Sequence, residues 1–218
     1  MTNTKRILCF GDSLTWGWVG VHEAVPTTRF SLEDRWTGVM LSELGDGYEL
    51  IEEGLNARTT AFDDPIDDRL NGSAYLPTCL ASHYPLDLVI LMLGTNDSKP
   101  YLHKTPFEIA AGMGKLIGQV VSSGGGIGTA YPAPQVLVIA PPPVVEIPDP
   151  WFDNLFKGSQ ETTAALAEHY ENVANFYKVD FLDGGGIVTT ESIDGIHFTA
   201  QNNVDFGKAV AAKVEAIL

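Results

Sequence analysis

The segment LVILML, residues 88–93, is apolar at every position. A strand of this kind is typical of the centre of a parallel sheet, where helices cover both faces. Four further short apolar runs have the length of buried strands. The five predicted strands are residues 6–10, 48–52, 86–93, 135–140 and 179–182.

Helical patterns fill the segments between these strands. An apolar face within residues 32–44 follows a capping signature at Ser31 and Asp34, and a stripe within residues 109–120 follows Thr105 and Glu108. Two more helices are predicted at about residues 159–177 and 200–217, the second capped by Thr199. This alternation predicts an α/β fold, a three-layer αβα sandwich around a five-stranded parallel sheet, with residues 1–218 as a single domain.

The composition sets limits on partners and location. The chain of 218 residues is 44% hydrophobic and carries a net charge of −15, which argues against a nucleic-acid backbone as a partner. No apolar run reaches the length that a transmembrane helix needs, and the first residues lack the features of a signal peptide. We therefore expect a cytoplasmic protein without membrane contact, in which Cys9 is a buried thiol and not half of a disulfide.

Glycine and polar residues follow the predicted strands. GDSL at 11–14 follows the first strand, EGLN at 53–56 the second, GTND at 94–97 the third and PPP at 141–143 the fourth. DGIHF at 194–198 comes after the fifth strand. Because the carboxyl ends of parallel strands meet at one edge of the sheet, where ligands bind, we expect these segments to form one site.

The residue types in these segments suit nucleophilic catalysis. A serine hydroxyl is a weak nucleophile at neutral pH and needs an oriented base to take its proton. For Ser13, the candidate base is His197, and Asp194 lies three residues earlier to orient it. The backbone N–H groups of Ser13 and Gly54 and the amide of Asn96 are the candidate oxyanion donors. Each residue alone is more often a turn residue, and it is the ordered set that favours a serine hydrolase.

The same segments carry a family resemblance. FGDSLT, EEGLNART, LGTND and DGIHF resemble, in order, the conserved blocks of the SGNH/GDSL hydrolases, and the resemblance covers nearly the whole chain. It implies the flavodoxin-like SGNH hydrolase fold. It also implies Ser13 as the nucleophile with Asp194 and His197 as its partners, and Ser13, Gly54 and Asn96 as the oxyanion hole.

A longer match, which includes GDSLTWGW, DDRLNG, YLP and the PPP loop, is similar to the bacterial arylesterase/acyltransferase (perhydrolase) branch. This resemblance implies a serine esterase for small aryl or alkyl esters, acyl transfer to alcohols or peroxide, and a homo-oligomer, specifically an octamer. It implies no cofactor and no metal, and its partners are small esters and alcohol acceptors. The substrate-pocket candidates are Asp12, Leu14, Trp18, Thr95, Phe156, Phe176 and Ile196.

Several alternatives stay open. Within the family they are an SGNH-type lipase or lysophospholipase and a carbohydrate deacetylase. A flavodoxin-like nucleotide- or flavin-binding protein shares the architecture, although the glycines at 124–128 follow a helix and precede a strand. A metal hydrolase would use the histidines with an aspartate cluster that is more typical of a solvated loop: Asp63, Asp64, Asp67 and Asp68. A non-catalytic module with this fold is the last alternative.

An apolar cluster in the proline-rich segment 141–156 bears on assembly. It comprises Trp151, Phe152, Leu155 and Phe156. A soluble monomer rarely exposes such a cluster. We therefore expect a second subunit to cover it and to help shape an apolar channel.

Overall fold

A fully parallel sheet forms the middle layer of the computed structural model, which describes residues 4–23, 25–190 and 193–218. Its strands are β1 (Lys5–Gly11), β2 (Tyr48–Gly54), β3 (Leu88–Met92), β4 (Gln135–Ala140) and β5 (Asp180–Asp183). They lie in the order β2-β1-β3-β4-β5, and Gly11 of β1 pairs with both Gly54 of β2 and Met92 of β3. The five predicted strands are therefore confirmed.

Helices cover both faces of this sheet. In chain order they are α1 (Ser13–Trp16), α2 (Trp36–Leu44), α3 (Gly72–His83), α4 (Pro106–Val121), α5 (Pro150–Leu155), α6 (Ser159–Ala164), α7 (Leu166–Tyr177) and α8 (Ala200–Ile217). Helices α3, α4 and α7 pack on one face, against residues such as Leu91, and α1, α2 and α8 pack on the other, against residues such as Ile90. Every residue of β3 is buried because successive side chains point to opposite, covered faces. The predicted three-layer sandwich is confirmed.

Helix α3 is missing from the predicted elements because Pro77 lies inside it. Proline has no N–H to donate to the carbonyl four residues earlier, which belongs to Ser73. In the structure, the side-chain amide of Gln119 in α4 donates to the Ser73 carbonyl at 2.8 Å. A neighbouring helix thus supplies the hydrogen bond that the sequence of α3 cannot make.

Two predicted helix boundaries are wrong. Helix α2 begins at Trp36, because the Ser31 hydroxyl bonds a nearby carboxylate and not a backbone N–H, while Asn203 Oδ1 accepts from the Trp36 N–H at 2.9 Å. The helix predicted over residues 159–177 is two helices that meet at Ala165. A backbone N–H from the segment after β4 donates to the Thr163 hydroxyl near this break, a contact that no local pattern predicts.

Other local predictions agree with the structure. Thr105 and Thr199 cap α4 and α8 as expected: each hydroxyl accepts from the N–H of the third helical residue, whose side-chain oxygen accepts from the threonine N–H. Cys9 is buried and unpaired, at 1% exposure. In the described part of the chain, no helix is both long enough and apolar enough to span a membrane.

Candidate active site

The residues predicted to be catalytic come together at the carboxyl edge of the sheet. Ser13 is the first residue of α1, directly after β1, and Asn96 begins a short 3-10 turn after β3. His197 and Asp194 lie in the loop that precedes α8. The chain order of the strands reverses between β1 and β3, which is where ligands bind in sheets of this type.

Three side chains form a continuous hydrogen-bonded row. His197 Nε2 lies 2.8 Å from Ser13 Oγ, and His197 Nδ1 lies 2.7 Å from Asp194 Oδ2. Ser13 is 8% exposed, His197 4% and Asp194 1%. An imidazole held in this way by a buried carboxylate is oriented to take the proton of the serine hydroxyl.

The Asp194 carboxylate is itself locked by the backbone. Its Oδ1 accepts hydrogen bonds from the N–H groups of Ile196 and His197, at 3.0 and 2.9 Å. The intervening Gly195 has a φ of 73°, and a Cβ there would lie 2.3 Å from the Glu146 carbonyl oxygen. Glycine is therefore required, because the turn that aims the carboxylate leaves no room for a side chain.

Asp12, the residue before Ser13, contacts Asn96. Its Oδ1 accepts from the Leu14 N–H at 3.0 Å, and its Oδ2 accepts from Asn96 Nδ2 at 3.2 Å. The pKa of Asp12 is raised to about 7, chiefly by burial; the Leu14 N–H opposes the shift and the nearby Asp97 adds to it. Asp12 is absent from the walls of the cavity at Ser13, so its contact with the site is through the Asn96 amide.

The structure does not support Gly54 as an oxyanion donor. A Cβ at Gly54 would lie 2.4 Å from the Trp16 N atom, so glycine is needed there for the close packing of α1 on β2. Gly54 lines a different cavity from Ser13. Asn56 and Ala57 of this segment do line the cavity at Ser13, and Ala57 has a φ of 68°. Its N–H has no acceptor within the described residues. Nothing in the local sequence marks a left-handed alanine.

A cavity of about 220 Å³, here named the serine cavity, opens in front of Ser13 and His197. Trp18, Phe156 and Ile196 line it, as do further apolar side chains that were not assigned to a pocket from the sequence: Val25, Ile66, Trp151, Phe152 and Leu155. The Trp18 ring stacks on the His197 imidazole, with centroids 4.9 Å apart and planes 17° apart. The site is therefore small, mostly apolar and closed on one side by an aromatic ring.

Besides Asp12, two more pocket candidates lie outside the walls of the serine cavity in the single chain. Phe176 is 79% exposed and lines another cavity, with Phe107 and His169, because the solvent-facing side of α7 carries it away from Ser13. Leu14 is 3% exposed and packs into the core with Trp36, because α1 turns this side chain towards the sheet.

Polar residues also line the serine cavity. Thr95 Oγ1, Trp18 Nε1 and Asn56 Oδ1 are buried and have no hydrogen-bond partner among the described residues. Lys99 contributes a buried ammonium group, whose Nζ lies 3.6 Å from Asp64 Oδ2. Burial lowers the pKa of Lys99, and Asp64 opposes this shift. The sequence reasoning missed Lys99 and Asn56, because their positions next to turn residues give no signal of pocket contact.

Two alternative interpretations of the sequence rest on the clustered aspartates and on the glycines at 124–128, and the structure shows where these residues lie. Three of the clustered aspartates have protein partners: Asp63 accepts from Asn71 and Asp67 pairs with Arg69, while Asp64 pairs with Lys99. The glycines at 124–128 lie between α4 and β4, and therefore at the end of the sheet opposite Ser13.

Comparison with known proteins identifies the chain's relatives. Residues 9–202 match the GDSL-like lipase/acylhydrolase family. The M. smegmatis aryl esterase is 57% identical with a TM-score of 0.97, covering 99% of this chain and 100% of that one. A carbohydrate acetylesterase from Sinorhizobium meliloti is 58% identical with a TM-score of 0.97 and the same coverage. A second carbohydrate acetylesterase family member from that organism is 40% identical with a TM-score of 0.90, covering 99% of each chain. No curated protein matches the chain.

These relatives agree with the interpretation of the segments at the strand ends. The family match runs from the end of β1 through β5 and includes the loop that carries Asp194 and His197. The aryl esterase and the first acetylesterase superimpose over almost the whole chain, so the SGNH hydrolase fold is confirmed. The chain therefore belongs to the GDSL-like lipase/acylhydrolase family and is an ester-hydrolysing serine hydrolase.

Proposed function

We propose that this enzyme hydrolyses small carboxylic esters through an acyl-enzyme on Ser13. The observation that carries the proposal is the buried row of Ser13, His197 and Asp194 at the serine cavity. Ser13 Oγ attacks the ester carbonyl while His197 Nε2 takes its proton, and Asp194 stabilises the resulting imidazolium. His197 then protonates the departing alcohol oxygen, and an activated water releases the acid.

Three donors are proposed to stabilise the oxyanion. They are the Asn96 amide and the backbone N–H groups of Ser13 and Ala57, all of which belong to residues that line the serine cavity. Asp12 holds one hydrogen of the Asn96 amide at 3.2 Å and thereby orients it. Asp12 is therefore a positioning residue, and Ala57 replaces Gly54 in the proposed oxyanion hole.

The serine cavity favours small acyl groups. Its volume of about 220 Å³ lies below the range of roughly 300–1,000 Å³ typical of drug-sized ligands. Aryl and alkyl esters suit its apolar walls. Deacetylation of sugar esters is a second candidate, favoured by the polar side chains that line the cavity, Asn56, Thr95 and Lys99, and by the acetylesterase relatives.

Acyl transfer to alcohols or peroxide is part of the proposal, because the apolar walls of the serine cavity disfavour water as the acceptor.

A homo-oligomer, an octamer by the family resemblance, is also part of the proposal. Phe152 and Phe156 are buried within the chain, contrary to the expectation that a second subunit covers them. Trp151, 60% exposed at the cavity wall, is the most exposed member of that cluster and is proposed to contact another subunit.

One experiment tests these points together. The enzyme is given a phenyl acetate ester and a sugar acetate, with and without a primary alcohol, and the acid and ester products are quantified. We expect turnover of the aryl ester and a new alkyl acetate when alcohol is present. In a separate reaction, a serine-directed phosphonate should leave a single label, on Ser13. Acetic acid as the sole acetyl-containing product would refute acyl transfer, and a label elsewhere would refute the mechanism. Light scattering should give a mass well above 23.5 kDa.

A further inference from the structure

Three side chains that can bind a metal meet outside the serine cavity, at the edge of the sheet. Glu53 lies near the end of the edge strand β2, and Cys79 and His83 lie on α3. The two helix residues are four positions apart and so share one face of the helix. One potential ligand atom from each residue lies within 4.8 Å of the others. These three residues are named the edge cluster.

The edge cluster is ordered by further contacts. His83 Nε2 lies 2.8 Å from Glu53 Oε1, and the Tyr75 hydroxyl donates to Glu53 Oε2 at 3.2 Å. Cys79 is 1% exposed, whereas the His83 and Glu53 side chains are 30% and 19% exposed. The thiol is thus buried, while the imidazole and the carboxylate reach solvent and provide access for an ion.

We propose that the edge cluster binds one divalent transition-metal ion, with Zn²⁺ as the best match. Thiolate, imidazole and carboxylate are the ligands that Zn²⁺ takes in proteins. A thiolate and a carboxylate together neutralise its charge, and water fills the fourth tetrahedral position. Zn²⁺–ligand distances of about 2.0–2.3 Å place tetrahedral ligand atoms roughly 3.3–3.8 Å apart, which small side-chain rotations of the edge cluster can reach.

Metal binding changes the protonation of two ligands. The pKa of Cys79 is raised to about 12, chiefly by burial and also by Glu53, while Arg58 opposes the shift. The thiol is therefore protonated before the metal arrives. Binding forms the sulfur–metal bond and releases the thiol proton to solvent. His83 Nε2 becomes a ligand while the ring proton resides on Nδ1. We therefore expect the affinity to rise with pH.

The ion would have a structural effect and no role in the ester chemistry. Glu53, Cys79 and His83 are all absent from the walls of the serine cavity. A metal held by β2 and α3 joins the edge strand to the helix that covers it. Because the ion binds the folded state, it should raise the thermal midpoint of unfolding increasingly as the free metal concentration exceeds the Kd.

Cobalt titration of the full-length enzyme, after treatment with a chelator, tests the proposal. Co²⁺ stands in for Zn²⁺ and gives a thiolate-to-metal charge-transfer band. We expect this band to saturate at one equivalent and to disappear when Zn²⁺ is added. Cys79→Ser should abolish the band, whereas Cys9→Ala, which alters the other buried cysteine, should retain it.

Two histidine variants keep the test valid if Cys79→Ser does not fold. His83→Gln should weaken Co²⁺ binding by more than about 100-fold, beyond the loss typical of an outer partner, and should remove the stabilisation by Zn²⁺. His169→Gln, a matched change on α7, should do neither. Absence of the band in the unmodified enzyme, its persistence in Cys79→Ser, or unchanged binding by His83→Gln would overturn the proposal. Esterase activity should be the same with and without chelator, which separates this result from the proposed function.

Discussion

Two carboxylate–imidazole pairs of nearly equal length lie in different parts of this enzyme. Asp194 Oδ2 lies 2.7 Å from His197 Nδ1 in the loop before α8. Glu53 Oε1 of β2 lies 2.8 Å from His83 Nε2 of α3. The first pair is almost fully buried, whereas the side chains of the second are 19% and 30% exposed. The carboxylate–imidazole distance alone therefore does not distinguish a catalytic pair from a pair outside the catalytic site.

What differs is the third partner and the support behind the carboxylate. Two backbone N–H groups fix Asp194, and the far nitrogen of His197 meets the Ser13 hydroxyl. Glu53 has the Tyr75 phenol as its support, and the third member of its group is the thiol of Cys79. The first arrangement aims one proton acceptor at a nucleophile, while the second surrounds a point that an ion can occupy.

The largest expected effect comes from removing the imidazole of each pair in turn. His197→Ala should lower kcat for an aryl ester by roughly 10⁴–10⁶-fold, because the serine loses its base. His83→Ala removes the imidazole of the other pair and should leave kcat unchanged. Steady-state kinetics on both variants, with circular dichroism to confirm folding, makes the measurement. Comparable losses in the two variants would contradict the assignment of the catalytic pair.

The next effect concerns the oxyanion. Asn96→Ala should reduce kcat by about 10²–10³-fold, as the loss of one donor does, with KM nearly unchanged. Asn71→Ala is a matched control, because Asn71 bonds Asp63 away from the serine cavity. An increase in KM with an unaltered kcat would instead assign Asn96 to substrate binding.

Stability against pH distinguishes the surroundings of the two pairs. Burial raises the pKa of Asp12 to about 7 and that of Asp97 to about 6, from 3.8. A carboxyl with a raised folded-state pKa stabilises the fold below its unfolded pKa, and this contribution is lost as the pH rises through the folded value. The free energy of unfolding should therefore fall by roughly 2–4 kcal/mol between about pH 5 and pH 8.

Urea unfolding across this range measures the slope. Asp12→Asn should flatten it, because one of the two titrating carboxyls is gone. Glu53→Gln, a change in the other pair, should retain the slope of the unmodified enzyme. A flat profile for the unmodified enzyme would show that the carboxyls near Ser13 titrate normally.

The smallest expected effect concerns the ring above His197. Trp18→Leu removes the aromatic face that lies 4.9 Å from the imidazole, and so removes its attraction for the imidazolium formed during turnover. Such contacts contribute about 0.5–2 kcal/mol, so kcat should fall by roughly 2- to 30-fold. Trp18→Phe retains a ring and should lose less. Equal losses in the two variants would indicate that Trp18 acts through packing alone.

Much of the fold and of the candidate catalytic row could be predicted from the sequence, because the signals are local. Five apolar runs have the length of strands, and Thr105 and Thr199 carry their helix caps within three residues. Asp194 and His197 are three positions apart, so a single turn determines their contact. The polar residues at successive strand ends share one edge because all the strands are parallel.

The tertiary structure decided whatever depends on contacts between distant segments. Helix α3 tolerates Pro77 because Gln119 of another helix satisfies the freed carbonyl. Ala57, not Gly54, lines the cavity at Ser13, because the packing of α1 requires Gly54 while the following loop brings a left-handed alanine to the serine cavity. Glu53 meets His83 across thirty positions of sequence only because α3 packs beside the edge strand. Periodicity and capping record forces between near neighbours, whereas these contacts arise from packing once the sheet has formed.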